Sequence, residues 1–189
     1  MKKYFSILIA LIAISMTFSS CKSLSQFSTE LIKKHDLDET RLKKIQFYNG
    51  AEKTPIILEK ELKNSNTSII KGKLVIRDGQ EIDRVIIKPG TKGAVFTVDS
   101  TGNLVVCFSA DNKNILTFGP DATKQGNYIL YSIKNTKKEF FVYYGGYGES
   151  NKYKVITSFG DMPGLYLNLK QLSDKKENGR VEKGRKVRR

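Results

Sequence analysis

Residues 69–88 read IIKGKLVIRDGQEIDRVIIK. Two runs rich in isoleucine and valine, Ile69 to Arg77 and Gln80 to Lys88, stand on either side of Asp78-Gly79. That dipeptide takes the positive φ angles of a two-residue hairpin turn, and β-branched side chains pack well on a pleated surface. The stretch therefore predicts two antiparallel strands. Pro89-Gly90 ends the second, because proline has no N–H to give to a ladder.

The same signals recur outward from this hairpin. Downstream, Gly93 to Asp99 and Leu104 to Ser109 flank Ser100-Thr101-Gly102-Asn103, and Asp111-Asn112 turns the chain into Ile115 to Phe118. A longer loop, Gly119 to Asn127, precedes Tyr128 to Ile133 and Glu139 to Tyr144, which flank Asn135-Thr136-Lys137-Lys138. Tyr153 to Ser158 and Leu165 to Leu169 close the series. Upstream, Ile45 to Tyr48 is expected to pair with Pro55 to Leu58 across Asn49-Gly50. Ala94, Phe96 and Val98 are expected on one face, as are Leu104, Val106 and Phe108, and Leu165, Leu167 and Leu169. Period-two patterning with short turns means an antiparallel sheet with one face on a core. So many strands exceed a comfortable flat sheet. The expected fold is mainly β, an antiparallel meander curled into a barrel or sandwich, with a short N-terminal helical segment.

That helical segment starts at Ser28, an N-cap for a helix through about Lys34, with Leu24, Phe27, Leu31 and Ile32 near helical spacing. A second short turn spans Asp38 to Lys44, with Leu37 and Leu42 on its apolar side. Lys22 to Gln26 reads as a tether.

Ahead of the tether, Lys2 and Lys3 precede an almost wholly apolar run, Tyr4 to Phe18, and then Ser19-Ser20-Cys21. The 15-residue core spans about 22 Å as a helix, short of the roughly 30 Å of a bilayer core. A charged start, a short apolar core and small residues at a cut site read as a secretory signal rather than a membrane span. Phe18-Ser19-Ser20-Cys21 resembles the lipobox of bacterial lipoproteins, with Phe18 in place of the commoner leucine. The resemblance covers the first 21 residues and implies that Cys21 becomes the first residue of the mature chain. It also implies a thioether to diacylglycerol and an acylated amine there, and two or more acyl chains hold a protein firmly to a bilayer. Lys22 stands where the sorting rule of the family places an aspartate for inner-membrane retention, which in a Gram-negative host implies the outer membrane, facing the periplasm. The Lys-, Ile- and Asn-rich composition resembles that of Bacteroidota proteins. The expected organisation is a signal peptide (1–20), a tether with short helical segment (21–44), a β-domain (45–172) and a basic tail (173–189).

The chain carries 33 lysines and arginines against 19 acids, a net charge of +14. The leader takes two of those bases and no acid, leaving +12 on the mature chain. The tail has eight bases and three acids, with Val181 and Val187 as its sizeable apolar side chains, so it is expected to be disordered. Lys183, Arg185, Lys186, Arg188 and Arg189 could meet an anionic surface there by non-specific attraction. With Cys21 lipidated, Cys107 has no disulfide partner, and its apolar run Leu104-Val105-Val106-Cys107-Phe108 makes it a buried strand cysteine.

Catalytic patterns are missing. His35, the single histidine, lies in the polar stretch Lys33-Lys34-His35-Asp36, which reads as solvated loop rather than a zinc site. No Gly-x-Ser-x-Gly elbow occurs. Asp99-Ser100-Thr101-Gly102-Asn103 lacks the length and closing glutamate of a calcium loop, and Gly90-Thr91-Lys92-Gly93 lacks the ending of a phosphate loop. The unusual stretch is Phe140-Phe141-Val142-Tyr143-Tyr144-Gly145-Gly146-Tyr147-Gly148. Strand aromatics mostly serve the core, but alternation sends Phe141 and Tyr143 to the face opposite Phe140, Val142 and Tyr144. Tyr143, Tyr144, Tyr147 and Tyr153 are thus a candidate patch for an envelope protein or a glycan. The expected function is a non-enzymatic, membrane-tethered envelope lipoprotein that binds a partner or serves an envelope assembly. A small-ligand carrier using a barrel interior is the alternative, and an envelope hydrolase a third reading. No cofactor is implied beyond the covalent lipid on Cys21, no metal is implied, and the export signal argues against nucleic acid as a partner.

Overall fold

Ser28, extended at φ −144° and ψ 164°, accepts a hydrogen bond from the Leu31 amide and starts α1 (Thr29–His35). Asp38 accepts from the Arg41 amide at 2.7 Å and starts α2 (Glu39–Leu42), with Leu37 and Leu42 buried beneath. Both helices stand where their caps predict them. The structure is a computed structural model that describes residues 24–50, 55–62, 73–77, 80–110, 114–146, 149–157 and 161–172. The leader with Cys21, the Asp78-Gly79 turn, Tyr147 and the tail with Lys183, Arg185, Lys186, Arg188 and Arg189 lie outside the described residues. No helix among the described residues is long and apolar enough to cross a membrane.

The tether reading fails at its inner end. Leu24–Gln26 is a strand, β1, paired with Asn168–Tyr166, and Phe27 after it is wholly buried. An open sheet edge offers these residues ladder bonds, and that overrides their helical spacing.

The remaining strands are β2 (Gln46–Asn49), β3 (Ile56–Glu61), β4 (Lys73–Arg77), β5 (Gln80–Ile87), β6 (Lys92–Val98) and β7 (Leu104–Cys107), then β8 (Ile115–Asp121), β9 (Asn127–Leu130), β10 (Ile133–Lys134), β11 (Phe140–Gly146), β12 (Glu149–Ile156) and β13 (Leu165–Asn168). The ladders between them are antiparallel. Arg77 pairs with Gln80, the register that a two-residue turn requires. The sheet order is β1-β13-β2-β6-β7-β8-β11-β12-β3-β5-β4, with β9 on β8 and β10 on β11. β2 therefore pairs with β13 and β6, not with its sequence neighbour β3, which sits between β12 and β5. The loop expected over 119–127 is mostly strand and turn: β8 runs to Asp121, and a 3-10 turn at Ala122–Lys124 leads into β9.

The sheet path is open at β1 and β4, yet part of it curls. Ladders join β13, β2, β6, β7, β8 and β9 in that order. The free edge of β9 then meets the segment ahead of β13, where Ile129 bridges Gly164 and the Leu130 amide donates to Pro163 O, and it meets the residue after β1, where the Tyr128 amide donates to Phe27 O, both bonds at 2.8 Å. These six strands curl into a ring that the single bridge closes only in part. Phe27, Phe47, Leu104, Leu116, Phe118 and Leu167 fill it and are wholly buried, with Phe27 edge-on to Phe47 at 5.1 Å between centroids. From β8 the sheet continues into a wing, β11-β12-β3-β5-β4, through the pair Gly145 and Ile115. Its inner side adds Leu58, Val85, Val142 and Val155 to the same core.

Two of the three expected faces need correction. Leu104 and Val106 point inward with Phe108 packed beside the core, as expected. On β6, however, the register shifts between Val95 and Thr97, so Val95 is buried while Ala94 and Phe96 face out, and Val98 returns to the core side. A β-bulge at Phe96 inserts one residue and flips the alternation after it. Gly93, two residues before Val95, also faces inward, and a Cβ there would lie 2.7 Å from Val106 Cγ1. On β13, Leu165 and Leu167 are buried, but the strand ends at Asn168 and a 3-10 turn carries Leu169 outward, leaving Leu172 to fill the core.

Candidate functional site

The β10–β11 hairpin is closed by its own polar residues. The Lys138 amide donates to Asn135 O at 3.1 Å and Lys138 takes a left-handed φ of 60°. The Asn135 amide donates to Glu139 O, while the Asn135 side chain accepts from the Glu139 amide and donates to Glu139 Oε2, both at 2.8 Å. This is a three-residue loop with a left-handed closing residue, a common hairpin form. The Lys154 ammonium on β12 lies 2.6 Å from Glu139 Oε1. Lys154 first, and then Asn135, hold the Glu139 carboxyl below its ordinary range.

With the register set, alternation along β11 sorts the aromatics. Val142 and Tyr144 go inward, and Tyr143 stands 55% exposed on the outer face. Ile133 pairs with Phe141 on that face and is 47% exposed, and Tyr131, just ahead of β10, is 56% exposed. The Lys152 ammonium sits 4.6 Å from the Phe141 ring centroid, and the Lys134 ammonium 5.5 Å from that of Phe140. Such contacts contribute about 0.5–1 kcal/mol each at exposed sites and hold the cations beside the rings. Lys137 and Lys138 are exposed at the hairpin tip. The nearby carboxylates are largely engaged: Glu139 by Lys154, and Glu59 by its cross-strand partner Arg84, whose Nε donates at 2.7 Å. The outer face thus joins Ile133, Phe141 and Tyr143 with Lys152 and the tip lysines, while Lys134 stands with Phe140 on the opposite side.

Of the three proposed tyrosines among the described residues, Tyr143 alone is placed at the surface. Tyr144 and Tyr153 are 3% and 2% exposed and belong to the core, where their rings meet edge to face at 5.6 Å. Both side chains project to the inner side of the wing, where burial of a large ring stabilises most. The Tyr153 hydroxyl donates to Asp83 Oδ2 at 2.7 Å, and burial together with that carboxylate pushes the phenol well above its ordinary pKa. Sequence reasoning missed the lysines: Asn135-Thr136-Lys137-Lys138 read only as a turn, though its two lysines, with Lys134 before them, signalled charge beside the aromatic run.

A second concave feature lies where α1 and α2 meet the β6–β7 turn. This cleft of about 330 Å³ is lined by Ile32, Leu37, Leu42, Val98, Leu104 and Tyr128, with Glu39, Asp99 and Gly102. Its polar groups are satisfied within the chain. Asp99 accepts from the amides of Thr101 and Asn103 and from both side chains, and these bonds outweigh burial and lower its pKa. Tyr128 donates to Gly102 O at 2.9 Å. Glu39 is paired to Lys43 and bonded to Thr97. An apolar lining with occupied polar groups suits an apolar guest and offers no group free for acid–base work.

His35 ends α1, and its carbonyl accepts from Arg41 Nη1 at 2.7 Å. Among the described residues no group of three or more His, Cys, Asp or Glu is placed to hold a metal ion. Cys107 is buried on β7, its thiol donating to Ser109 O at 3.2 Å. No family model, no curated protein and no solved structure matches the chain.

Proposed function

We propose that this chain is a cell-envelope lipoprotein, tethered to the outer membrane through Cys21, whose β-domain works by binding rather than by catalysis. The observation that carries this is the basic, aromatic face of the β10–β11 hairpin, exposed over a wing whose inner side is core. Exposed tyrosines with a rigid strand beneath them give contact area at little entropic cost, and the lysines select an acidic partner. The ring interior is occupied by phenylalanine and leucine side chains, so a ligand-carrier reading rests on the cleft beside α2 instead.

Substituted-cysteine accessibility tests the binding face. In Tyr143→Cys the new thiol competes with neither lipidated Cys21 nor buried Cys107. It should react with a maleimide several-fold more slowly in envelope fragments than in detergent micelles. Equal rates would remove the hairpin as the binding face.

A further inference from the structure

The make-up of the hairpin face identifies what covers it. A standard protein–protein contact buries about 800 Å² per partner around a desolvated apolar centre. Here Ile133, Phe141 and Tyr143 share the outer face, but the Lys152 ammonium lies over the Phe141 ring in their midst, so a cation stands where such a centre would be dry. Amphipathic rings set among long cationic side chains are the composition of a membrane–water interface. Tyrosine sits there at headgroup level, and lysine lays its stem along apolar surface while its ammonium reaches phosphate.

We propose that this face docks on an anionic bilayer, so that the tethered domain lies against the membrane on its β10–β11 hairpin. The proposal rests on the hairpin being the binding face and names its partner as the phosphate-bearing lipid surface. Lys137 and Lys138 are exposed at the hairpin tip, and Lys152, the cross-strand partner of Tyr143, is exposed on the same face. Each lysine near an anionic leaflet favours contact by about fivefold. A covalent tether keeps the domain at high local concentration over the lipid, so weak individual contacts suffice.

The chain contains no tryptophan, so Tyr143→Trp introduces a single indole at an exposed position. Full-length protein is placed in vesicles of phosphatidylcholine with and without phosphatidylglycerol. The expected result is blue-shifted emission, quenched by lipids brominated high on the acyl chain, in the phosphatidylglycerol vesicles only. Joint replacement of Lys137, Lys138 and Lys152 by glutamate should abolish the shift, and Tyr131→Trp should repeat it at a second position. Unshifted emission in both vesicles overturns the proposal, and an equal shift in both removes the anionic surface as the determinant. A shift that appears only on adding lipid-free envelope protein assigns the face to a protein and also overturns it. Protection of Tyr143→Cys in envelopes without a vesicle response would leave the binding face standing and remove the bilayer as its partner.

Discussion

Tyr153 on β12 donates its hydroxyl at 2.7 Å to the buried carboxylate of Asp83 on β5, across the intervening strand β3. The other oxygen, Asp83 Oδ1, has no hydrogen-bond partner among the described residues, so this bond is the main satisfaction of a group taken out of water. Tyr153→Phe keeps the ring packed on Tyr144 but strips the carboxylate of its donor. It should cost about 2–3 kcal/mol in urea unfolding. The phenol's folded pKa is raised, so its contribution is fully present below the unfolded value of about 10 and is lost as pH climbs towards the folded one. Wild-type stability should fall above that pH, and Tyr153→Phe should lose this alkaline dependence. An unchanged unfolding midpoint would show that Asp83 is satisfied in another way.

Asp99 organises the β6–β7 turn by accepting from Thr101 and Asn103, and its folded pKa is lowered. Its contribution is therefore present above the unfolded carboxyl pKa of about 4 and lost as pH falls below it. Asp99→Ala should destabilise by about 1–2 kcal/mol at neutral pH. The gap to wild type should close in acid, as followed by thermal melts between neutral and acid pH. A gap that stays constant with pH would contradict this.

Lys138 holds a left-handed φ of 60° in the β10–β11 turn, a conformation that burdens any residue with a Cβ. Lys138→Gly should stabilise the domain by about 1 kcal/mol, less part of glycine's greater entropy loss. A lower urea midpoint would mean that the lysine side chain contributes more than its backbone strain costs.

The local elements were legible because they rest on local chemistry. Ser28 and Asp38 are caps whose side chains fit one job, and the turns around Asp99 and Asn135 carry residues that bond their own backbone. Pairing was less legible. β2 and β3 are neighbours in sequence but lie apart in the sheet, because β2 buries Phe47 inside the ring and β3 buries Leu58 under the wing. The bulge at Phe96 had no glycine to announce it, and a one-residue insertion reverses every later side chain. At the site, the alternation of Phe141 and Tyr143 against Val142 was readable, but whether Tyr144 and Tyr153 met water depended on strands distant in sequence.

The tether has its own test. The lipobox-like run ending at Cys21 leads to the expectation that Cys21→Ser abolishes acyl labelling and either releases the protein from membranes or leaves uncleaved precursor. Mass spectrometry of the mature N-terminal peptide should show acylated Cys21 in wild type. An unmodified cysteine there would contradict the lipoprotein reading.

The claim that the domain binds through its outer hairpin face is tested most directly by hydrogen exchange of the full chain, compared between native envelope fragments and detergent micelles. Loops and short strands with exposed amides exchange through local opening, which a bound partner suppresses. Envelope-dependent protection is expected to concentrate in residues 131–154, with the cleft segment 32–42 unchanged. Protection confined to 32–42, or none in 131–154, would contradict it.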